Sequence, residues 1–243
     1  MNYSIIKITK ISGIAVFLFS IAFFAHAQIS GVGEVVSFDV TPNNPRANQI
    51  VNVNIESFSV DLSRASSITW LLNGEIIAQD AGLKSVQFRT GKLGSRSEVD
   101  VVIRSVEKGT IRESITISPT EVNLLWGATS YTPPFYAGKA LPASDADITV
   151  VAMAEFVTSN GNRLSPKDLI FTWQKDGRVL GGLSGRGKDT VNITGPKLSR
   201  TSRIEVGVSS SGGSLQGSGA TFISAVSPEI IFYENDTIFG TRY

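Results

Sequence analysis

The chain has 243 residues, no cysteine, one histidine (His26) and a formal net charge of +1. His26 falls in an N-terminal segment that we expect to be removed. Because the remaining chain has neither histidine nor cysteine, it cannot form a Ser-His-Asp or Cys-His catalytic site, a zinc site of the usual ligands or a redox dithiol. Its near-neutral charge also gives no basic field for a nucleic acid, so we expect neither a cofactor nor a nucleic-acid partner.

The first 27 residues have the layout of a secretory signal peptide. Lys7 and Lys10 precede the apolar run ISGIAVFLFSIAFFA, and Ala25-His26-Ala27 supplies the small residues of a cleavage site. The alternative is an N-terminal membrane anchor, but the apolar run is shorter than the roughly 20 residues that cross a bilayer. We predict cleavage after Ala27 and export to the periplasm, the cell surface or the extracellular space.

Alternation of apolar and polar residues dominates the rest of the chain and predicts half-buried strands. In QIVNVNIESFSV, for example, Val51, Val53 and Ile55 fall on one face. The same period of two appears in EVDVVIRS, DITVVAMAEF and RIEVGVSS. Short strands separated by clusters of Gly, Asn, Pro and Ser favour an antiparallel sandwich, so we predict an all-β protein.

The phrase Thr-Trp-x-x-(Asn/Asp)-Gly occurs twice, in ITWLLNG and FTWQKDG, with its tryptophans at Trp70 and Trp173. Each Trp shares a strand face with the apolar residue two positions before it. The Asn-Gly and Asp-Gly pairs at 73–74 and 176–177 favour type I′ hairpin turns. We predict that each copy is a core strand with an inward Trp, a tight turn and a returning strand.

A buried Trp on the third strand is a hallmark of immunoglobulin-like sandwiches. From Glu34 to about Phe232, the chain resembles disulfide-free bacterial Ig-like and PKD-like tandem repeats, in particular exported tandem Ig-like proteins. The resemblance implies two tandem immunoglobulin-like antiparallel β-sandwiches after the signal peptide. Two similar end phrases, ISPTEVNLLWG and ISAVSPEIIFY, set the predicted boundaries: 1–27 signal peptide, 28–120 first sandwich, 121–232 second sandwich with an aromatic and Pro-rich junction at 121–142, and 233–243 C-terminal tail.

Catalysis and metal binding have weak candidates. Glu155 and Asp168 could form a pair for two-carboxylate hydrolysis, but such residues are ordinarily solvated charges, and we predict a non-enzyme. The candidate calcium ligands are the side-chain oxygens of Asp145, Asp147, Asn160 and Asn162. Ordinary turns contain the same residues, so no metal is expected.

The most unusual stretch is NLLWGATSYTPPFYAGKALP, which contains Trp126, Tyr131, Phe135 and Tyr136 beside two prolines. These rings could form a platform that stacks on sugars or docks a partner. Alternatively, the stretch is a stiff connector whose aromatic residues seal the seam between the sandwiches. Its position at the predicted domain boundary favours the connector.

These features predict an exported, non-catalytic structural or interaction protein of the cell envelope or surface, with other envelope or surface proteins as partners. The alternative is a carbohydrate-binding or adhesive module that uses the aromatic stretch. The tail contains Ile238, Phe239 and Tyr243. It either begins a third repeat or docks as a strand, and docking would let the chain self-associate.

Overall fold

The computed structural model describes residues 36–58, 60–132, 136–230, 232–238 and 240–242. The predicted signal peptide and Phe135 lie outside these residues. All described residues belong to one compact unit, Glu34–Tyr243. In this part of the chain, no helix is long and apolar enough to cross a membrane.

The first seven strands form two antiparallel sheets that face each other, which we call sandwich 1. They are β1 (Ser37–Thr41), β2 (Ile50–Glu56), β3 (Ser67–Leu72), β4 (Glu75–Asp80), β5 (Ser85–Arg89), β6 (Ser97–Ser105) and β7 (Gly109–Ile117). The sheet orders are β1-β2-β5 and β4-β3-β6-β7. A 3-10 turn, Leu62–Arg64, lies between β2 and β3.

The next eight strands form sandwich 2. They are β8 (Glu121–Ala128), β9 (Asp147–Glu155), β10 (Leu169–Lys175), β11 (Arg178–Val179), β12 (Gly185–Arg186), β13 (Thr190–Thr194), β14 (Thr201–Ser210) and β15 (Gln216–Ser224). The sheet orders are β13-β9-β8 and β11-β10-β14-β15, and β12 also pairs with β10. Two 3-10 turns, Pro166–Asp168 and Gly181–Leu183, flank β10 and β11.

Sandwich 2 repeats the strand order of sandwich 1. In each sandwich, the first strand is an edge strand of the three-stranded sheet and the second is its middle strand. The third strand, which carries the Trp, lies in the second sheet and pairs there with a long strand, β6 or β14. Each sandwich also encloses its own cluster of buried apolar side chains. The predicted all-β fold of tandem immunoglobulin-like sandwiches is therefore confirmed.

Trp70 on β3 and Trp173 on β10 belong to these clusters, and both are 0% exposed. The indole N–H of Trp70 donates to the carbonyl of Leu83 at 2.9 Å, and that of Trp173 donates to the carbonyl of Lys188 at 2.8 Å. Because each indole N–H has a backbone acceptor, the ring is buried without an unsatisfied donor.

The two tight turns match in conformation as well as in sequence. Asn73 and Gly74 have φ of 52° and 84°, and Asp176 and Gly177 have φ of 51° and 78°. Positive φ at both central residues is the requirement of a type I′ hairpin. The side chains of Asn73 and Asp176 each accept a backbone N–H from the next long strand, β6 or β14, at 2.9 and 2.8 Å.

Each sandwich has two ends, which we define by its strands. The proximal end is where β1 or β8 begins, and it carries the β2–β3 loop and β6–β7 turn, or the β9–β10 loop and β14–β15 turn. The distal end is where β7 or β15 stops. It carries the β1–β2 and β5–β6 loops, or the β8–β9 and β13–β14 loops.

The distal end of sandwich 1 contacts the proximal end of sandwich 2, and we call this contact the seam. Thr120 lies between β7 and β8. Its backbone N–H donates to the carbonyl of Pro45 at 3.1 Å, and its hydroxyl donates to the carbonyl of Gln216 at 2.6 Å. The Arg46 guanidinium donates to the carbonyl of Val122 at 3.4 Å. The short linker is thus hydrogen-bonded to both sandwiches.

Gly94, in the β5–β6 loop, shows how closely the two backbones approach. A Cβ placed on Gly94 would lie 2.8 Å from Cγ1 of Val157 and 3.0 Å from the carbonyl oxygen of Thr158, both in sandwich 2. Gly94 also has φ of +83°. Both the conformation and the available space therefore require glycine at this position of the seam.

The C-terminal tail contains β16 (Glu234–Asp236) and β17 (Gly240–Arg242), which pair with each other as an antiparallel hairpin. Ile230 and Phe232, which lead into this hairpin, are exposed. Docking of the tail as a strand stays a prediction.

Candidate functional site

The aromatic stretch lies elsewhere than the connector interpretation places it. β8 pairs with β9 along its whole length, from Glu121 opposite Glu155 to Ala128 opposite Ile148. Most of the predicted junction 121–142 is therefore the first strand of sandwich 2 and the loop that follows it. That loop, 129–146, lies at the distal end of sandwich 2, away from the seam. The linker between the sandwiches is only 118–120.

Hydrogen bonds hold the 129–146 loop to two other segments of the distal end. The hydroxyl of Ser144 accepts the backbone N–H of Leu198, in the β13–β14 loop, at 3.0 Å. The carbonyl of Pro142 accepts the backbone N–H of Val226, which follows β15, at 2.9 Å. Three segments that are distant in the sequence are thereby fixed side by side.

Between these segments lies an open cavity of about 720 Å³, which we call the distal groove. The larger apolar residues of its lining are Tyr131, Tyr136, Leu141, Leu198, Val226 and Pro228. Tyr131 is 80% exposed, and the other five are also exposed or half-buried. Concave apolar surfaces of this size are typical of binding sites.

The structure brings together only part of the predicted aromatic set. Tyr131 and Tyr136 both line the distal groove. Trp126 instead is partly buried against the core of sandwich 2, and Nζ of Lys139 lies 3.1 Å from its ring centroid. That ring face contacts a cation, so Trp126 contributes no stacking surface to the groove. Phe135 lies outside the described residues.

The calcium candidates fall at opposite ends of sandwich 2. Asp147 begins β9, while Asn160 and Asn162 follow its last residue, Glu155. Eight residue steps along a strand make roughly 27 Å, so the two sets cannot share one ion. Asp145 adopts φ of 56° in the distal loop and donates its backbone N–H to Pro196. Within the described residues, no three His, Cys, Asp or Glu side chains form a metal-binding group.

The two carboxylates considered for hydrolysis each contact an arginine. Glu155 lies 3.3 Å from Nη1 of Arg163, and Asp168 lies 3.3 Å from Nη2 of Arg186. All four side chains are substantially exposed, which makes these ordinary surface ion pairs of small energetic weight. They offer no proton donor in an apolar environment, which an acid catalyst requires.

Sequence reasoning missed half of the groove, namely Leu198, Val226 and Pro228. None of them belongs to the aromatic stretch, and none is unusual in its local context. One signal was present: the Ser-Pro phrase at 227–228 repeats the one at 118–119. Because 118–119 lies in the seam, the repeated phrase marks the corresponding end of sandwich 2.

No family model matches the chain, and no curated protein matches its sequence. Among solved structures, the chain is similar to the fibronectin(III)-like modules of Clostridium thermocellum CbhA. That match has 13% identity and a TM-score of 0.36, and it covers 82% of this chain and 100% of the other.

Two further similar structures have three domains each. Domains 3–5 of Drosophila OTK share 13% identity, with 79% of this chain and 62% of that chain covered and a TM-score of 0.31. The three N-terminal domains of the outer capsid protein Hoc of bacteriophage RB49 share 14% identity, with 79% and 59% covered and a TM-score of 0.30. At these TM-scores the similarities support no functional inference for this chain, and the fold assignment rests on the strand order.

Proposed function

We propose that this chain is an exported, non-catalytic structural and interaction protein of the cell envelope or surface, and that it binds a macromolecular partner through the distal groove. The observation that carries the proposal is the groove itself. It is apolar, it is held in shape by hydrogen bonds between three segments, and no described residue of the C-terminal hairpin lines it.

The lining chemistry supports binding rather than catalysis. Among the described lining residues, Glu229 supplies the one carboxylate, and it is exposed. Hydrolysis by paired carboxylates needs a second carboxyl group about 5–9.5 Å from the first. Apolar and aromatic side chains surrounded by serine and threonine hydroxyls instead resemble the core and rim of a protein interface.

Export remains part of the proposal and rests on the signal-peptide pattern of residues 1–27. N-terminal sequencing of the protein recovered from its native compartment tests it directly. The expected first residue is Gln28. Recovery of Met1 in the membrane fraction would instead identify an anchored protein.

The binding proposal is tested by affinity capture from an envelope extract, with the mature chain as bait. Val226→Asp places a charge in the groove, while Ile76→Asp makes the same kind of change at an exposed residue of β4. The expected result is capture of a partner by the unmodified chain and by Ile76→Asp, and its loss with Val226→Asp. Equal capture by all three would contradict a role for the groove.

A carbohydrate-binding module is the second candidate, because Tyr131 and Tyr136 share the groove. Tyrosine rings stack on sugar faces through their apolar surface. Calorimetric titration with glucose and N-acetylglucosamine hexasaccharides tests this candidate. Binding that disappears in Tyr131→Ala supports it, and absence of binding to an oligosaccharide array removes it.

A further inference from the structure

The seam shows how one sandwich of this chain binds another. Sandwich 2 uses two features of its proximal end, namely Val157 after β9 and the β14–β15 turn with Ser214 and Leu215. Together with Gly94 of sandwich 1, these residues enclose a small cavity of about 50 Å³. Val157 lies directly against Gly94 of sandwich 1, whereas Leu215 belongs to the core of sandwich 2 and lines the cavity from that side.

Sandwich 1 has the two corresponding segments at its own proximal end, and each carries an exposed apolar side chain. In the β2–β3 loop, Phe58 is 99% exposed, and in the β6–β7 turn, Val106 is 88% exposed. Burial of a phenylalanine side chain is favourable, so a ring left in water is a candidate for cover by a partner. Phe58 and Val106 thus occupy the loops that make the seam in sandwich 2.

The two distal ends differ in the room they offer. The seam accommodates the smaller side chain, Val157, and the groove offers more space for the larger one, Phe58. At the seam the close approach of Gly94 leaves room for Val157 and little more. The distal groove is far larger, at about 720 Å³, and its lining is mostly apolar. A phenylalanine needs a larger and more apolar receptor than a valine does. The groove therefore fits Phe58 in both size and chemistry.

We propose that the distal groove binds the proximal end of sandwich 1 of a second copy of this chain. Copies then associate head to tail, with Phe58 and Val106 of one copy on the groove of the next. The contact continues the arrangement of the seam, because the same loops of the same fold meet. It joins two different surfaces and is not closed by a two-fold axis, so each added copy offers a new free end, and the series grows until a rotation closes it into a ring. This inference rests on the proposed function of the groove as a protein-binding surface.

Sedimentation velocity of the mature chain, Gln28–Tyr243, over a wide concentration range tests the proposal. We expect a series of dimers, trimers and longer species that grows with concentration. Phe58→Asp and Val226→Asp should each raise the concentration of half-association by about tenfold or more, because each puts a charge at the centre of an apolar contact. Ile76→Asp, at an exposed residue of β4 that belongs neither to the proximal end of sandwich 1 nor to the groove, should associate normally.

A mixture of the two variants distinguishes a head-to-tail contact from a symmetric one. Phe58→Asp keeps an intact groove, and Val226→Asp keeps an intact proximal end. An equal mixture should therefore form dimers and stop there, since both remaining surfaces carry a charge. Mixtures that stay monomeric while the unmodified chain associates would overturn the proposal. Leu198→Asp serves as a second groove variant if Val226→Asp lowers the melting temperature.

The outcome is separable from that of the proposed function. An unmodified chain that stays monomeric at every concentration overturns head-to-tail association. If Val226→Asp then still abolishes capture of an envelope protein, the groove binds a different protein and the proposed function stands. If it abolishes only binding of a hexasaccharide, both the self-association and the protein-binding role are overturned in favour of the carbohydrate module.

Discussion

The two distal ends of this molecule have the same strand order, the same type I′ turn and the same Ser-Pro phrase, yet they differ in burial and in the length of their first loop. Pro119 is buried at the seam, whereas Pro228 is exposed beside the groove. The first loop of the end has eight residues in sandwich 1 (42–49) and 18 in sandwich 2 (129–146). One end is closed by a covalently attached neighbour, and the other is open.

The chemistry of the two ends matches this difference. At the seam, backbone and side-chain hydrogen bonds predominate, such as the 3.2 Å bond from the Asn44 amide to the hydroxyl of Ser218. At the open end, apolar rings and aliphatic side chains predominate. A covalently linked neighbour can be held by many small polar contacts. A separate molecule loses translational entropy when it binds, and a few well-buried side chains must offset that free-energy cost.

The largest expected effect is loss of a central tryptophan. Trp70→Ala and Trp173→Ala should each destabilise its own sandwich by about 3–5 kcal/mol, because the change removes a fully buried ring and leaves a cavity. Denaturant unfolding followed by circular dichroism would show one transition moved and the other nearly unchanged. Each variant is the control for the other, and near-native stability of both would contradict the burial of the rings.

A second test breaks the seam and spares the open end. Gly94→Ala forces a Cβ against Val157 and should cost about 1–3 kcal/mol, in addition to the cost of positive φ. Gly82 has φ of +72°, and a Cβ added there would meet no atom within 4 Å, which makes it the matched control. Gly82→Ala should lower the free energy of unfolding only by the cost of positive φ, about 1–2 kcal/mol. Equal losses in urea unfolding would mean that the seam tolerates a methyl group.

The Ser-Pro phrases allow a direct comparison of the two ends. Pro119→Ala should lower the free energy of unfolding by about 1 kcal/mol, because it removes a buried ring and loosens the linker in the unfolded chain. Pro228→Ala should change the stability of the monomer by less than about 0.5 kcal/mol, as for most surface positions. Thermal melts at low protein concentration give both values. Identical shifts would contradict the difference in burial.

The smallest expected effect concerns the long distal loop. Lys139→Met removes the cation above Trp126 and should cost about 0.5–1 kcal/mol, the usual range for an exposed cation–π contact. It should also change the fluorescence of Trp126, since the other two tryptophans are fully buried. Arg112→Met, at an exposed residue of β7, is the charge-matched control. An unchanged spectrum and stability would mean that the loop does not lie over this ring.

The sequence predicted those parts of the fold that depend on local patterns. The alternation around Val53 and the Asn-Gly and Asp-Gly pairs are short-range signals, and the strands and type I′ turns follow from them. The place of the aromatic stretch could not be predicted in the same way. It depends on the pairing of β8 with β9, which spans a loop of 18 residues with no pattern of its own.

The groove was harder still to predict, because its lining comes from segments near residues 131, 198 and 226. Only the folded strand order brings these segments to one end. Likewise, Gly94 looks like any turn glycine in the sequence, and its role depends on an atom of Val157 more than 60 positions away. The structure places Tyr131 and Tyr136 in one groove and Trp126 against the core outside it, a separation that proximity along the chain could not reveal.

The path of the chain through each sandwich has a mechanical consequence. The chain enters at the proximal end through β1 or β8 and leaves at the distal end through β7 or β15. Tension between the two termini therefore pulls β1 and β7 in opposite directions along their lengths, so the ladders to β2 and β6 are loaded in shear and many hydrogen bonds resist at once. The same holds for sandwich 2, and the hydrogen-bonded linker passes the load from one sandwich to the other. A pulling force applied to the two termini would therefore act on strand ladders in shear in both sandwiches.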